Sequence, residues 1–232
     1  MYLSRYPSKI DETLYPDENK MAILTGNANT NILIGTPDDD NISGFGGNDF
    51  LFAASGNDSV FGDNGNDLIS GGAGDDFLDG GSGVDRLIGG TGNDIFFFSD
   101  DPFVGSTANP PDVLTDFQIG QDRLFFSSDK LGINNLSFQT GISGQLSGDS
   151  NLIVLQDGFA NAGAAAQAIA DNNAITADAG LFVYFNTTLG FSRVVFSTDL
   201  SDRGQFSVLG NLINQTDVAN QTQFTANEFV LV

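Results

Sequence analysis

Eight residues spaced nine apart carry the chemistry of this 232-residue chain: Asn31, Asp40, Asp49, Asp58, Asp67, Asp76, Asp85 and Asp94. Seven of the eight are carboxylates, and a hard, charged oxygen suits a hard cation. Glycines surround them. The clearest copies read GGAGDDFLD at 71–79, GGSGVDRLI at 80–88 and GGTGNDIFF at 89–97. Glycine permits positive φ and lets backbone carbonyls approach a shared point, so each aspartate closes a tight, oxygen-rich turn. Two residues further on, Leu33, Ile42, Leu51, Val60, Ile69, Leu78, Leu87 and Phe96 form an equally regular apolar column. The unit is therefore G-G-x-G-x-D-x-U-x, with U large and apolar, running in unbroken register over 26–97.

The elements that position these residues follow from the period. The last three residues of each unit suit a short strand with one side chain pointing inward, because strand side chains alternate faces. A Gly/Asp-rich linker has no reason to keep an apolar column. The pattern is the signature of a calcium-binding parallel β-roll, and it resembles the RTX (hemolysin-type) nonapeptide-repeat family over about a third of the chain.

That resemblance implies a specific geometry. One unit makes half a coil, so Asn31, Asp49, Asp67 and Asp85 stack on one edge and Asp40, Asp58, Asp76 and Asp94 on the other. Three gaps per edge imply about six Ca2+ ions, each shared by aspartates eighteen residues apart. Carbonyls from positions two and four of one turn and one and three of the next are implied to complete the shell. On the Asp40 edge these are Thr36, Asp38, Ala53 and Ser55, then Ala54, Gly56, Gly71 and Ala73, then Gly72, Gly74, Gly89 and Thr91. On the Asn31 edge they are Phe45, Gly47, Gly62 and Asn64, then Asp63, Gly65, Gly80 and Ser82. Six oxygens lie within the range calcium accepts.

Charge supports the ion. Residues 26–97 hold twelve aspartates and one arginine, Arg86, for a net of −11. Six divalent cations would nearly cancel it, whereas bare stacked carboxylates repel. The strands are also too short to offset chain entropy unaided, so metal binding is expected to be coupled to folding. Departures from consensus weaken the N-terminal sites: Asn31 lacks charge, Thr36, Pro37 and Asp38 interrupt one turn, and Ala53 and Ala54 replace both leading glycines of another. Asp63 reads equally as a solvated surface acid or an extra ligand.

Beyond 97 the composition changes. Residues 112–124 resemble the D-x-U-x-D-F-x-x-G-x-D-x-U segment that follows the roll in serralysin-type C-terminal domains and closes the solenoid's open end. Within it Asp112 and Asp122 read first as solvated loop acids, with ligation of a terminal ion as the alternative. Strand-like runs lie at 152–155, 181–185, 193–196, 205–209 and 229–232, and the alanine-rich 162–171 suits a short helix. The fold class is all-β: a calcium-bound parallel β-roll followed by a mainly antiparallel β capping module with one short helix. The implied organisation is an N-terminal arm or cap at 1–25 with 21–24 as its apolar part, a roll at 26–97, and a C-terminal capping and secretion module at 98–232.

Composition narrows the function. A net charge of −22 and a pI near 4.1 argue against nucleic acid or an anionic membrane as partner. No segment approaches a membrane span, and residues 1–25 lack the apolar core of a secretory signal peptide. The chain has no histidine or cysteine and only three glutamates, Glu12, Glu18 and Glu228. That removes the usual general base and the thiol nucleophile, and no carboxylate pair can be singled out for glycoside hydrolysis. No catalytic residue is assigned, and the chain reads as a non-enzyme.

Turns of this kind suit calcium at the ~10⁻⁴–10⁻³ M of extracellular fluids. The family resemblance accordingly implies export by a type I secretion apparatus, guided by an uncleaved C-terminal signal that 227–232 resembles. Two roles are consistent with this. One is a secreted extracellular or cell-surface structural or interaction protein with a polysaccharide or protein partner, favoured by Met1 and the lack of a catalytic domain. The other is a noncatalytic accessory or secretion module of an RTX enzyme that binds an acidic polysaccharide or a partner. Finally, positions seven and nine on one sheet (Ile32, Ile34, Phe50, Phe52, Leu68 and Ile88 among them) are mostly apolar, so that face is expected to be covered.

Overall fold

A computed structural model describes residues 21–104, 107–172, 174–202 and 204–232. Of the expected N-terminal arm, residues 1–20 lie outside the described residues. The roll is built from nine strands: β1 (Ile23–Asn27), β2 (Ile32–Ile34), β3 (Asn41–Phe45), β4 (Phe50–Ser55), β5 (Ser59–Phe61), β6 (Leu68–Ala73), β7 (Phe77–Asp79), β8 (Arg86–Thr91) and β9 (Ile95–Phe98). Odd strands stack in one sheet and even strands in the other, every pair parallel and offset by eighteen residues, as in Leu33↔Leu51 and Ile42↔Val60. The nine-residue half-coil is therefore realised. Its inward column, Ile42, Leu51, Val60, Ile69, Leu78, Leu87 and Phe96, is wholly buried between the sheets.

Neither sheet stops at residue 97. A short ribbon, β10 (Phe103–Val104) with β11 (Thr107–Ala108), leads into β12 (Asp112–Leu114) and β13 (Arg123–Phe126). Strand β12 pairs with β8, setting Leu114 on Leu87, and β13 pairs with β9, setting Leu124 on Phe96. Both leucines are buried, so the apolar column gains one further coil. Phe98 and Phe126 stack with ring centroids 5.3 Å apart at its end.

The remainder adds helix α1 (Ser128–Leu131), β14 (Phe138–Gly141), β15 (Leu152–Phe159), helix α2 (Ala162–Ala170), β16 (Gly180–Asn186), β17 (Phe191–Ser197), β18 (Phe206–Leu212) and β19 (Phe229–Leu231). Strand β19 joins the seven-stranded sheet beside β13, and β18 joins the ten-stranded sheet beside β12, both in parallel. The all-β class with a short helix holds. Within the C-terminal part the antiparallel pairs are β10–β11, β16–β17 and β17–β18, whereas β14–β15 and β15–β16 are parallel. The physical reason is continuity: strands added to a parallel roll take its direction unless a hairpin reverses the chain.

Asn161 caps α2 by accepting from the Ala164 amide, and the helix lays Ala162, Ala165, Ala166 and Ile169 against Ile153, Leu155, Phe182, Tyr184 and Val195. The opposite face of this sheet (Leu152, Val154, Leu181, Val183) shares one core with the roll. The C-terminal part thus extends the roll edge-on and does not fold across it. Of the covers expected for the apolar face (the N-terminal arm, the C-terminal part or another subunit), the C-terminal part is therefore not one. Ile32 and Ile34 are 68% and 66% exposed and Phe50 42%, while Phe52, Leu68 and Ile88 are half-buried. Among the described residues nothing lies across that end of the sheet.

Candidate metal centre

Each position-six carboxylate is held by the turn one coil before it. The amides of Asn31, Asp49 and Asp67 donate to Oδ1 of Asp49, Asp67 and Asp85 at 2.6, 2.6 and 2.7 Å. On the other edge the amides of Asp40, Asp58 and Asp76 donate to Oδ1 of Asp58, Asp76 and Asp94 at 2.6, 2.9 and 3.0 Å. Two aspartate ladders thus run along the roll, joining residues eighteen apart.

The second oxygen of each aspartate decides what the ladders are for. Oδ2 of Asp49, Asp58, Asp67, Asp76, Asp85 and Asp94 is buried and has no hydrogen-bond partner. An unpaired buried charge is among the most costly features a fold can carry. Burial accordingly pushes the carboxyls of Asp58, Asp67 and Asp94 up to about 6 and those of Asp76 and Asp85 up to about 7. The ladder amides oppose this, and the charge of stacked aspartates adds to it.

The position-one glycine faces the same oxygen. A Cβ on Gly62 would lie 2.4 Å from Asp67 Oδ2 and 2.5 Å from the Gly80 carbonyl. Both are far inside ordinary van der Waals contact, so two oxygens of successive turns crowd the glycine and leave no room for a side chain. Ala53 is the one residue of this column that is not glycine. Among the described residues no three His, Cys, Asp or Glu side chains converge on one point. Two carboxylates per gap with backbone carbonyls is the donor set on offer, and it fits a hard divalent cation.

Several implied carbonyl ligands already carry turn-to-turn bonds. Phe45, Asp63, Ser82, Ala73 and Thr91 accept from Asn64, Ser82, Gly65, Gly56 and Gly74 respectively. A carbonyl has a second lone pair, so these bonds align the oxygens without exhausting them. From the third turn onward position two takes the left-handed region, and Phe45, Ala54 and Asp63 adopt φ of 72°, 87° and 70° there without glycine's freedom. Asp63 is neither free in solvent nor on the ladder: its Oδ2 accepts from Ser43 Oγ at 2.6 Å and from the Phe45 amide at 3.1 Å.

The N-terminal turns differ. Oδ1 of Asn31 accepts from the Asn27 amide, and Asp40 is satisfied by the Thr36 amide and hydroxyl and by the Ala22 amide. Neither side chain presents the orphaned oxygen of the later turns.

The ladders also run past the repeats. Asp85 donates to Oδ1 of Asp112 at 2.9 Å, and Asp94 to Oδ1 of Asp122 at 3.1 Å. The reading of these two as solvated loop acids is corrected: Asp122 is 2% exposed. Burial, followed by the charge of Asp85, holds the Asp112 carboxyl well above the usual range. Insertions of nine and ten residues, against the eighteen-residue spacing, hid them from a fixed period.

Position five was missed altogether. Asp39, Asn57 and Asp75 each accept from the amide of the next turn on their edge, as do Asn48 and Asn66 on the other. The signal was present in the Asp39, Asn48, Asn57, Asn66, Asp75 and Asn93 column.

A model of the RTX calcium-binding nonapeptide repeat, four copies long, matches residues 25–60 and again 61–96. Residues 25–96 are RTX repeats. Their cation is Ca2+. Among solved structures the chain is similar to the AlgE6R3 subunit of the Azotobacter vinelandii mannuronan C5-epimerase, at 22% identity over 88% of this chain and 80% of that one, with a TM-score of 0.36. It is similar also to the AlgE6R2 subunit of the same enzyme, at 21% identity over 90% and 89%, with a TM-score of 0.27. No curated protein matches the chain.

Proposed function

We propose that this is a secreted, noncatalytic protein whose RTX roll folds on about six calcium ions and serves outside the cell as a structural or interaction element. The observation that carries this reading is the row of buried, unpartnered Oδ2 atoms from Asp49 to Asp94. Bound calcium supplies the positive charge those oxygens lack. The ligands of each ion are the paired aspartates of adjacent coils with the carbonyls flanking them, as the repeat pattern implies. Asp76 lies between Asp58 and Asp94 on its ladder and so serves two ions.

Sites that need calcium at the ~10⁻⁴–10⁻³ M of extracellular modules fold only where calcium is abundant. Export before folding follows, which suits a type I apparatus reading the C-terminal segment. Among the described residues no helix is long and apolar enough to cross a membrane. The absence of histidine and cysteine, with aspartates committed to the ladders, supports a noncatalytic role.

The test is a calcium titration followed by far-ultraviolet circular dichroism and by ion counting. Chelated protein should gain β signal with ~1–10 mM calcium. Asp76→Asn should lose two ions and Asp94→Asn one. Identical spectra with chelator and with calcium would falsify the reading.

A further inference from the structure

We propose that the outer face of the seven-stranded sheet docks a basic, apolar polypeptide segment, an extended chain that alternates large apolar side chains with arginine or lysine. The inference rests on the reading of this protein as an interaction element and adds to it a surface and the chemistry of the partner.

Strand register puts six apolar side chains on that face. Phe61, Phe97, Phe125 and Val230 lie in one row across β5, β9, β13 and β19, with Asp79 of β7 between the first two. Phe77 and Ile95 lie in the row beside it. Phe77 bridges the ribbon, its ring centroid 5.7 Å from that of Phe61 and 5.7 Å from that of Phe97. All six are half-buried, and none belongs to either hydrophobic core. Strands roughly 4.8 Å apart make the row about 19 Å long, the reach of about six extended residues. Contiguous apolar area outside a core usually marks an interface.

Charge selects the occupant. Asp63 and Asp100 join Asp79 around a slot of about 460 Å3 that Phe61 also lines. Ser99 Oγ and the Gly81 amide donate to Asp79 Oδ1 at 2.8 and 3.1 Å, and Ser82 Oγ donates to Asp100 Oδ1 at 3.1 Å. Asp63 accepts through Oδ2. Each carboxylate is thus fixed by one oxygen and keeps the other free of hydrogen bonds among the described residues. Lys130 offsets part of the charge at Asp100, and Arg123 stands two strands from Asp79, toward β19.

None of the three side chains stands at position six, so calcium in the gaps leaves this rim acidic. A second copy of the chain, at −22, is repelled by it, as is an acidic polysaccharide. A guanidinium or ammonium in the slot meets the free carboxylate oxygens and the Phe61 ring together. Apolar neighbours on the same segment then lie along the phenylalanine ribbon.

Fluorescence anisotropy in saturating calcium, with a labelled octapeptide alternating leucine and arginine, tests this. The full chain should bind it. Phe77→Ser should bind about tenfold more weakly, and Asp79→Asn about threefold more weakly with a flatter dependence on salt. Ile34→Ser, on the other sheet, should match wild type. Octapeptides with serine in place of leucine, or glutamate in place of arginine, should bind more weakly than the parent. Equal binding of either control peptide, or wild-type binding by Phe77→Ser, overturns the proposal. A dimer of the chain alone that Phe77→Ser dissociates also overturns it and gives the face to a second copy. Should Phe77→Ser fail to fold in calcium, the double variant Asp79→Asn with Asp100→Asn decides: weaker binding upholds the face and equal binding removes it. Identical circular dichroism of these samples with chelator and with calcium overturns the reading beneath the proposal instead.

Discussion

A nine-residue turn of the roll fully buries one large apolar side chain, whereas β16 alone buries Leu181, Phe182, Val183 and Tyr184 in succession. The two regions share both sheets, yet their stability has different sources. The roll keeps carboxylates in its interior edges and leaves their second oxygens unpaired. The C-terminal part covers one sheet face with α2 and merges the other into the roll's core. Sheet continuity therefore does not imply a shared dependence on metal. Calcium should be needed where charge is buried, and apolar packing should suffice where it is not.

The sharpest way to break this comparison is hydrogen exchange with and without chelator. Removing calcium should strip protection from amides of β3–β9, while those of β16 and α2 keep much of theirs. Equal loss in both regions would mean they unfold as one unit.

The converse perturbation is Phe182→Ala in calcium. It should destabilise the C-terminal part by about 3–5 kcal/mol in denaturant titrations, the range for large aromatic truncations in a core. The number of bound ions should not change; fewer ions would show that α2 packing supports the metal sites.

A smaller effect concerns pH in the absence of metal. Carboxyls of Asp58, Asp67, Asp76, Asp85 and Asp94 raised to about 6 or 7 bind protons more tightly in the folded roll than in the unfolded chain. Stability from this source is complete below the ordinary value of 3.8 and is lost as pH rises through 6 to 7. Chelated protein should therefore show more β signal at roughly pH 5 than at roughly pH 8. An equal or opposite trend would mean the ladders are not what opposes folding.

The smallest change tests backbone strain within the roll alone. Ala54 sits at φ 87°, so Ala54→Gly should raise calcium-loaded stability by about 1 kcal/mol. A loss on thermal melting would show that the turn tolerates alanine without strain.

The repeat made the roll legible before any coordinates. Period nine placed Ile42 through Phe96 in one buried column and the aspartates on two edges, because a solenoid repeats its environment each time it repeats its sequence. The strand runs at 152–155 and 181–185 and the alanine-rich helix were legible for the same local reasons of composition. What the period could not reveal were contacts crossing an irregular separation. Asp112 and Asp122 join the ladders from 27 and 28 residues away, after insertions that erase the register.

Nor could composition say that β18 and β19 would extend the two sheets edge-on and leave Ile32 and Ile34 exposed. Local sequence determined where this chain turns, which side chains face inward, and which ion its edges suit. Tertiary structure alone decided how each edge ends, because that depends on which distant strand arrives beside the final turn.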